Sequence, residues 1–221
     1  MILDQVSTLN PFGDPDLFWC ETGFSVQDTQ RVSHEAPGLG AVQVTLPDDL
    51  AAAVPKRRSE FLAGRLVAAY ALRQAGMPET VGRAGRRPLW PAGVAGSITH
   101  SKDRAIAVVS KVHSGLGLDC EALVSDDRAM QLAAAIFSEA EARLRPDALP
   151  FGTFFTLVFS AKEAVYKALS HRLPDIPAFH DAVLTRLHPK EMTVTLRGET
   201  HHVRFRLSAK DCVTLVTDPA R

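Results

Sequence analysis

Apolar positions change period several times along the 221 residues. FWCETGFSV (18–26) and GAVQVTL (40–46) alternate as strands do. From Pro47 to about Ala75 the apolar residues recur at helical spacing. Pro55 suits the first turn of the main helix there, where a missing N–H costs nothing, and Gly76 with Pro78 ends it. GRAGRRPLWPAGVAG (82–96) reads as a connection, followed by three short strands, GSIT, RAIAVVS and GLGLDCE. SDDRAMQLAAAIF opens a helix on a Ser125 cap and two acids, and FFTLVFSAKEAVYKALS forms another that closes near Pro174. DAVLTRL, EMTVTLRG, HHVRFRLSA and DCVTLVTD return to strands, the middle pair turning at Gly198. Strand, long helix, then strands thus occurs twice. The pattern predicts an α+β fold of two similar halves, 1–113 and 114–221.

Composition narrows the partners. Lys plus Arg and Asp plus Glu are 25 each, so no global field argues for nucleic acid. No run approaches the roughly 18–20 apolar residues of a membrane span. MILDQVSTLNPFGDP, with its early acid and no basic start, is a poor secretory signal, so a cytoplasmic protein is expected. Cys20, Cys120 and Cys212 are odd in number and lack metal-type spacing, which predicts reduced, packed thiols.

Three stretches carry candidate chemistry, and a set of arginines adds to them. On a strand, Asp119 and Glu121 emerge on one face, where two carboxylates require a cation or a hydrogen-bond network. On a helix, Glu163 and Lys167 are neighbours, with Lys162 and Tyr166 on the next ridge. Alone that pair reads as a solvated ion pair; beside Asp119 and Glu121 it offers a third oxygen ligand for magnesium shared with water and phosphates. Thr99 and His100 end a strand, and their donors side by side would bind a phosphate oxygen; a satisfied histidine is the plain alternative. Arg57, Arg58 and Arg65 on the first long helix, with Arg86 and Arg87 before Pro88, suit phosphates, or else form a solvated face. Neither GxxxxGK[ST] nor GxGxxG after a strand is present.

These motifs resemble those of the phosphopantetheinyl transferases, most closely the enterobactin synthetase component D type. GLDCE at Gly117 to Glu121 and FSAKEAVYK at Phe159 to Lys167 match the family's Gly-x-Asp-x-Glu strand and [Trp/Phe]-Ser-x-Lys-Glu-x-x-x-Lys helix. RRSEFLAGR (57–65), RRPLWPAG (86–93) and GSITHS (96–101) match its upstream elements in order. Phe159 stands where Trp is commoner, and Cys120 where an aliphatic is. The resemblance implies a pseudo-twofold fold, each half a long helix against a small antiparallel sheet. It implies an enzyme that moves 4'-phosphopantetheine from coenzyme A to a serine of an apo acyl or peptidyl carrier protein of nonribosomal peptide, polyketide or siderophore synthesis.

By the same resemblance Asp119, Glu121 and Glu163 would hold magnesium in the C-terminal half, and Glu163 would be the general base. Lys167 would stabilise phosphate charge, His100 with Thr99 would hold a pyrophosphate or ribose-phosphate oxygen, and Arg57, Arg65 and Arg87 would grip nucleotide phosphates from the N-terminal half. Arg58 competes with Arg57 for its place. Met130, Ala134 and Phe137 fall at helical spacing as a carrier-docking strip or, more plainly, as core. A monomer is expected. A magnesium-dependent phosphohydrolase and a non-catalytic nucleotide-binding module are the alternatives.

Overall fold

The protein is described by a computed structural model covering residues 1, 3–85, 87–173, 175 and 177–219, so Arg86 and the expected stop at Pro174 lie outside the described residues. The chain divides into two units, Met1–His113 and Ser114–Arg221.

The first unit contains β1 (Phe18–Gly23), β2 (Arg31–Ala36), β3 (Gly40–Thr45), α1 (Pro55–Gln74), β4 (Gly82–Ala84), β5 (Arg87–Leu89), β6 (Ala95–Ser101) and β7 (Arg104–Ser110). An antiparallel sheet has the order β1-β7-β6, while β2–β3 and β4–β5 are separate hairpins. Pro55 occupies the first turn of α1, which has no side-chain cap. The helix is apolar on more than one face because it packs on β1, β6 and β7 and also against the β2–β3 hairpin. Leu62, Leu66, Val67 and Leu72 are wholly buried along it, with Ala63, Ala68 and Ala71 keeping the approach close. The Tyr70 hydroxyl reaches the His34 carbonyl at 2.8 Å and the Gly40 carbonyl at 3.1 Å, tying the hairpin to the helix.

The second unit contains β8 (His113–Ala122, beginning one residue before it), α2 (Asp126–Ile136), α3 (Glu139–Ala142) and α4 (Phe151–Leu169). Four strands follow, β9 (Ala182–Leu187), β10 (Glu191–Leu196), β11 (Glu199–Leu207) and β12 (Asp211–Pro219). Its sheet has the order β8-β12-β11-β10-β9, with β9 to β12 antiparallel in succession. Arg197 (φ 50°) and Gly198 (φ 83°) make the β10–β11 turn, two left-handed residues as a tight hairpin requires. α4 lies on β10, β11, β12 and α2, burying Phe154, Leu157, Val158, Ala161 and Val165. The fold is therefore α+β, a long helix on an antiparallel sheet in each unit, though the two sheets differ in strand number.

Of the expected docking strip, Met130 is 61% exposed and Ala134 is exposed, whereas Phe137 is core, its ring 5.4 Å from that of Phe154. Cys20, Cys120 and Cys212 form no disulfide and are fully buried. Burial pushes Cys20 up to about 12 and Cys212 higher still. Among the described residues no helix is long and apolar enough to cross a membrane.

Candidate active site

In the second unit, period-two alternation puts Gly115, Gly117, Asp119 and Glu121 on one face of β8, and that face meets α4. A Cβ at Gly117 would lie 1.7 Å from the Ala164 carbonyl oxygen, and one at Gly115 2.3 Å from that of Ala168. The two missing side chains let helix and strand backbones touch, and this brings the last turns of α4 level with the acids. Lys167 Nζ then donates to Asp119 Oδ1 at 2.7 Å and to the Leu118 carbonyl at 3.0 Å. The ion pair thus runs across to the strand, and Asp119 is 4% exposed. Burial, then the charge of Asp119, raises Glu121 to about 7, with Lys167 opposing. Burial also raises Glu163, against the pull of Lys167 and with a push from Asp119.

Asp119, Glu121 and Glu163, with one lysine among them, form a hard-oxygen set short of positive charge, in which burial and the charge of Asp119 raise the two glutamates. Among the described residues no three His, Cys, Asp or Glu side chains make a ready cage for a metal ion. Magnesium needs no such cage, because it keeps waters and takes substrate phosphates as ligands, so the donor set fits it.

Lys162, one step round α4 from Glu163, is completely buried. Its three donors are met by Glu141 Oε1 (2.8 Å) and the carbonyls of Ile136 (2.7 Å) and Phe179 (3.0 Å). Glu141 in turn accepts from the backbone N–H groups of Ser138 and Leu184, each at 2.8 Å. Burial raises the Glu141 carboxyl, but these hydrogen bonds, led by that of Lys162, outweigh it and hold it below its usual value. The network fixes the rotation of α4, and hence the direction in which Glu163 leaves it.

In the first unit, Arg57 Nη1 lies 3.4 Å from His100 Nε2, and Glu60 lies 3.8 Å from Arg57 and 3.7 Å from His100 Nδ1. Burial, then the charges of Arg83 and Arg57, lowers Arg65 to about 10. Arg87 is exposed on β5, in the hairpin that also carries Arg83. Arg58 is taken up by Asp28 at 2.6 Å and by the Ala51 carbonyl, so its part is structural. One expectation is corrected: Thr99 and His100 lie within β6, and adjacent strand residues point to opposite faces, so the two do not stand side by side. Thr99 is 3% exposed, and His100 shares the other face with Arg57 and Glu60.

Residues 46–110 match the 4'-phosphopantetheinyl transferase N-terminal domain, and residues 115–218 match the 4'-phosphopantetheinyl transferase superfamily. The enterobactin synthase component D of Escherichia coli K12 is 36% identical over 72% of this chain and 77% of its own length. The chain belongs to the 4'-phosphopantetheinyl transferase superfamily. The enterobactin synthase component D of Salmonella typhi is 41% identical over 67% of this chain and 63% of its own. The first two Salmonella relatives are thus spanned over only 63% and 59% of their lengths. A 4'-phosphopantetheinyl transferase of Mycobacterium tuberculosis is 32% identical over 68% of this chain and 67% of its own. A solved holo-(acyl-carrier-protein) synthase from Bacillus anthracis in complex with CoA is 20% identical over 50% of this chain and 99% of its own, at a TM-score of 0.37.

Glu60, Phe61, Arg83 and Glu141 join the candidate residues of this transferase-family chain only once it is folded. Glu60 had a local signal, since it lies three residues from Arg57 within RRSEF. Arg83 and Glu141 reach their partners across 34 and 21 residues, Asp49 and Lys162 respectively, and no local period carries such a pairing.

Proposed function

We propose that this chain transfers the 4'-phosphopantetheine group of coenzyme A to a serine of an apo acyl or peptidyl carrier protein. The observation that carries the proposal is the glycine-lined face of β8 seated on α4, which sets Asp119 against Lys167 beside Glu121 and Glu163. In the reaction the serine oxygen attacks the β-phosphorus of coenzyme A. The new O–P bond forms as the bond to the bridging oxygen breaks, and adenosine 3',5'-bisphosphate leaves. The serine proton passes to Glu163, directly or through a water, and a carboxylate raised by burial is a better acceptor than an exposed one. Lys167 offsets charge on the phosphates. Asp119, Glu121 and Glu163 would hold magnesium, which when bound neutralises charge moving to the leaving group.

Arg57, Arg65, Arg87 and His100 hold the nucleotide's phosphates in this reading; any part for Thr99 comes from the opposite face of β6. The protein works in the cytoplasm as a monomer, and its enterobactin relatives favour a siderophore synthase's carrier among the nonribosomal peptide and polyketide routes. The test is intact-mass spectrometry of an apo carrier incubated with the protein, coenzyme A and magnesium. A gain of one phosphopantetheine, abolished by a chelator and slowed about 10²–10⁴-fold by Glu163→Ala, is expected. A folded protein that binds coenzyme A yet modifies none of several carriers, while breaking coenzyme A down, would mark a hydrolase instead.

A further inference from the structure

Phe61 and Arg65, four residues apart on α1, stack with the guanidinium 5.1 Å from the ring centre, and the β4–β5 hairpin brings Arg83 to 5.6 Å from the same ring. Two cations share one ring, and Arg57 adds its charge to Arg65. Counter-charge is thin. Glu60 is divided at 3.7–3.9 Å among Lys56, Arg57 and His100. Arg65 donates to the Gly82 carbonyl at 3.1 Å, and its Nε is buried with no hydrogen-bond partner. Arg83 Nη1 takes both oxygens of Asp49 at 2.9 Å.

That last pair is uneven. Arg83 is 24% exposed and held also by the ring and by the Gly85 carbonyl, at 3.2 Å from Nε and 3.1 Å from Nη2. Asp49 is 65% exposed. An exposed carboxylate on a fixed guanidinium is the exchangeable member, since such a pair is weak and screened by salt. It also presents what a phosphate presents, two anionic oxygens to one guanidinium.

We propose that Arg83 is a further phosphate-binding residue of this chain, and that Asp49 is the internal anion that leaves Arg83 when a ligand phosphate arrives. The inference deepens the transferase reading and rests on it for the ligand's identity. Asp49 then acts as a competitor built into the 3₁₀ turn Asp48–Leu50, and it lowers affinity for polyphosphate ligands.

Isothermal titration calorimetry with adenosine 3',5'-bisphosphate and, separately, inorganic pyrophosphate tests this. Arg83→Gln should weaken both about tenfold, and Asp49→Asn should tighten both about threefold. The double variant should match Arg83→Gln alone, because Asp49 works only through Arg83. Unchanged affinity in Arg83→Gln, or weakening in Asp49→Asn, would make the pair a hairpin clamp and overturn the inference. If Arg83→Gln loses its melting transition, Asp49→Asn decides alone. Arg83-dependent binding of pyrophosphate without binding of the bisphosphate would sink the transferase reading and keep the anion site. Binding of both without Arg83 dependence would do the reverse, and binding of neither would remove both.

Discussion

At the scale of single residues the second unit holds two lysines of opposite character five positions apart on one helix. Lys162 is sealed in with Glu141, whereas Lys167 is 31% exposed and pairs with Asp119. Only the second can meet a substrate in this fold. Truncating the first, Lys162→Met, strands the Glu141 charge in the core and should cost about 3–5 kcal/mol, measured by urea unfolding. Replacing both by apolar residues should recover much of it. Glu121 sets a pH dependence of the metal-free protein. Its folded value of about 7 lies above the usual 4.5, so the native state binds the proton more tightly than the unfolded chain. Its contribution is fully present below about pH 4.5 and is lost as pH rises through 7, a fall of about 1 kcal/mol after solvent screening. Thermal melts in chelator should show that fall between pH 5 and 8, and Glu121→Gln should flatten it.

At the scale of elements, the contact of β8 with α4 is the most exacting in the second unit. Gly117→Ala must push the helix off the strand, because no rotamer moves a backbone carbonyl out of the way. It should cost at least about 3 kcal/mol by denaturant titration and loosen the Asp119–Lys167 pair with it. Much of this element scale is legible in the sequence. Alternation in GLGLDCE puts the two acids on one side, and the four-residue step from Glu163 to Lys167 puts both on one ridge. What period alone does not convey is which partner Lys167 takes: a helical neighbour and a strand acid are both in reach, and the missing side chains at Gly115 and Gly117 decide it. β2 leaves no clear period in the sequence, because RVSHEA buries only Val32 and Ala36 among charged neighbours. The three-residue strands β4 and β5 are too short for any period to show. α4 starts at Phe151, three residues before the apolar run suggested, because Pro150 and the Gly152 amide's bond to Asp126 (2.7 Å) open the helix early.

At the scale of the whole molecule, overall neutrality conceals local clusters, with Arg57, Arg65 and Arg83 near one another in the first unit and Glu121 and Glu163 raised by burial and by Asp119 in the second. Each unit has its own buried core, built around α1 in one and α4 in the other. The cysteines are divided between them, Cys20 in the first and Cys120 with Cys212 in the second. Because all three thiols are fully buried, and burial raises those of Cys20 and Cys212, a thiol reagent added to the native protein should find nothing to label. Labelling then becomes a clock for transient opening, with one mark timing the first unit and two timing the second. Lys162→Met should hurry the second pair of marks more than the first, and mass spectrometry of the labelled peptides would read both hands of that clock in one sample.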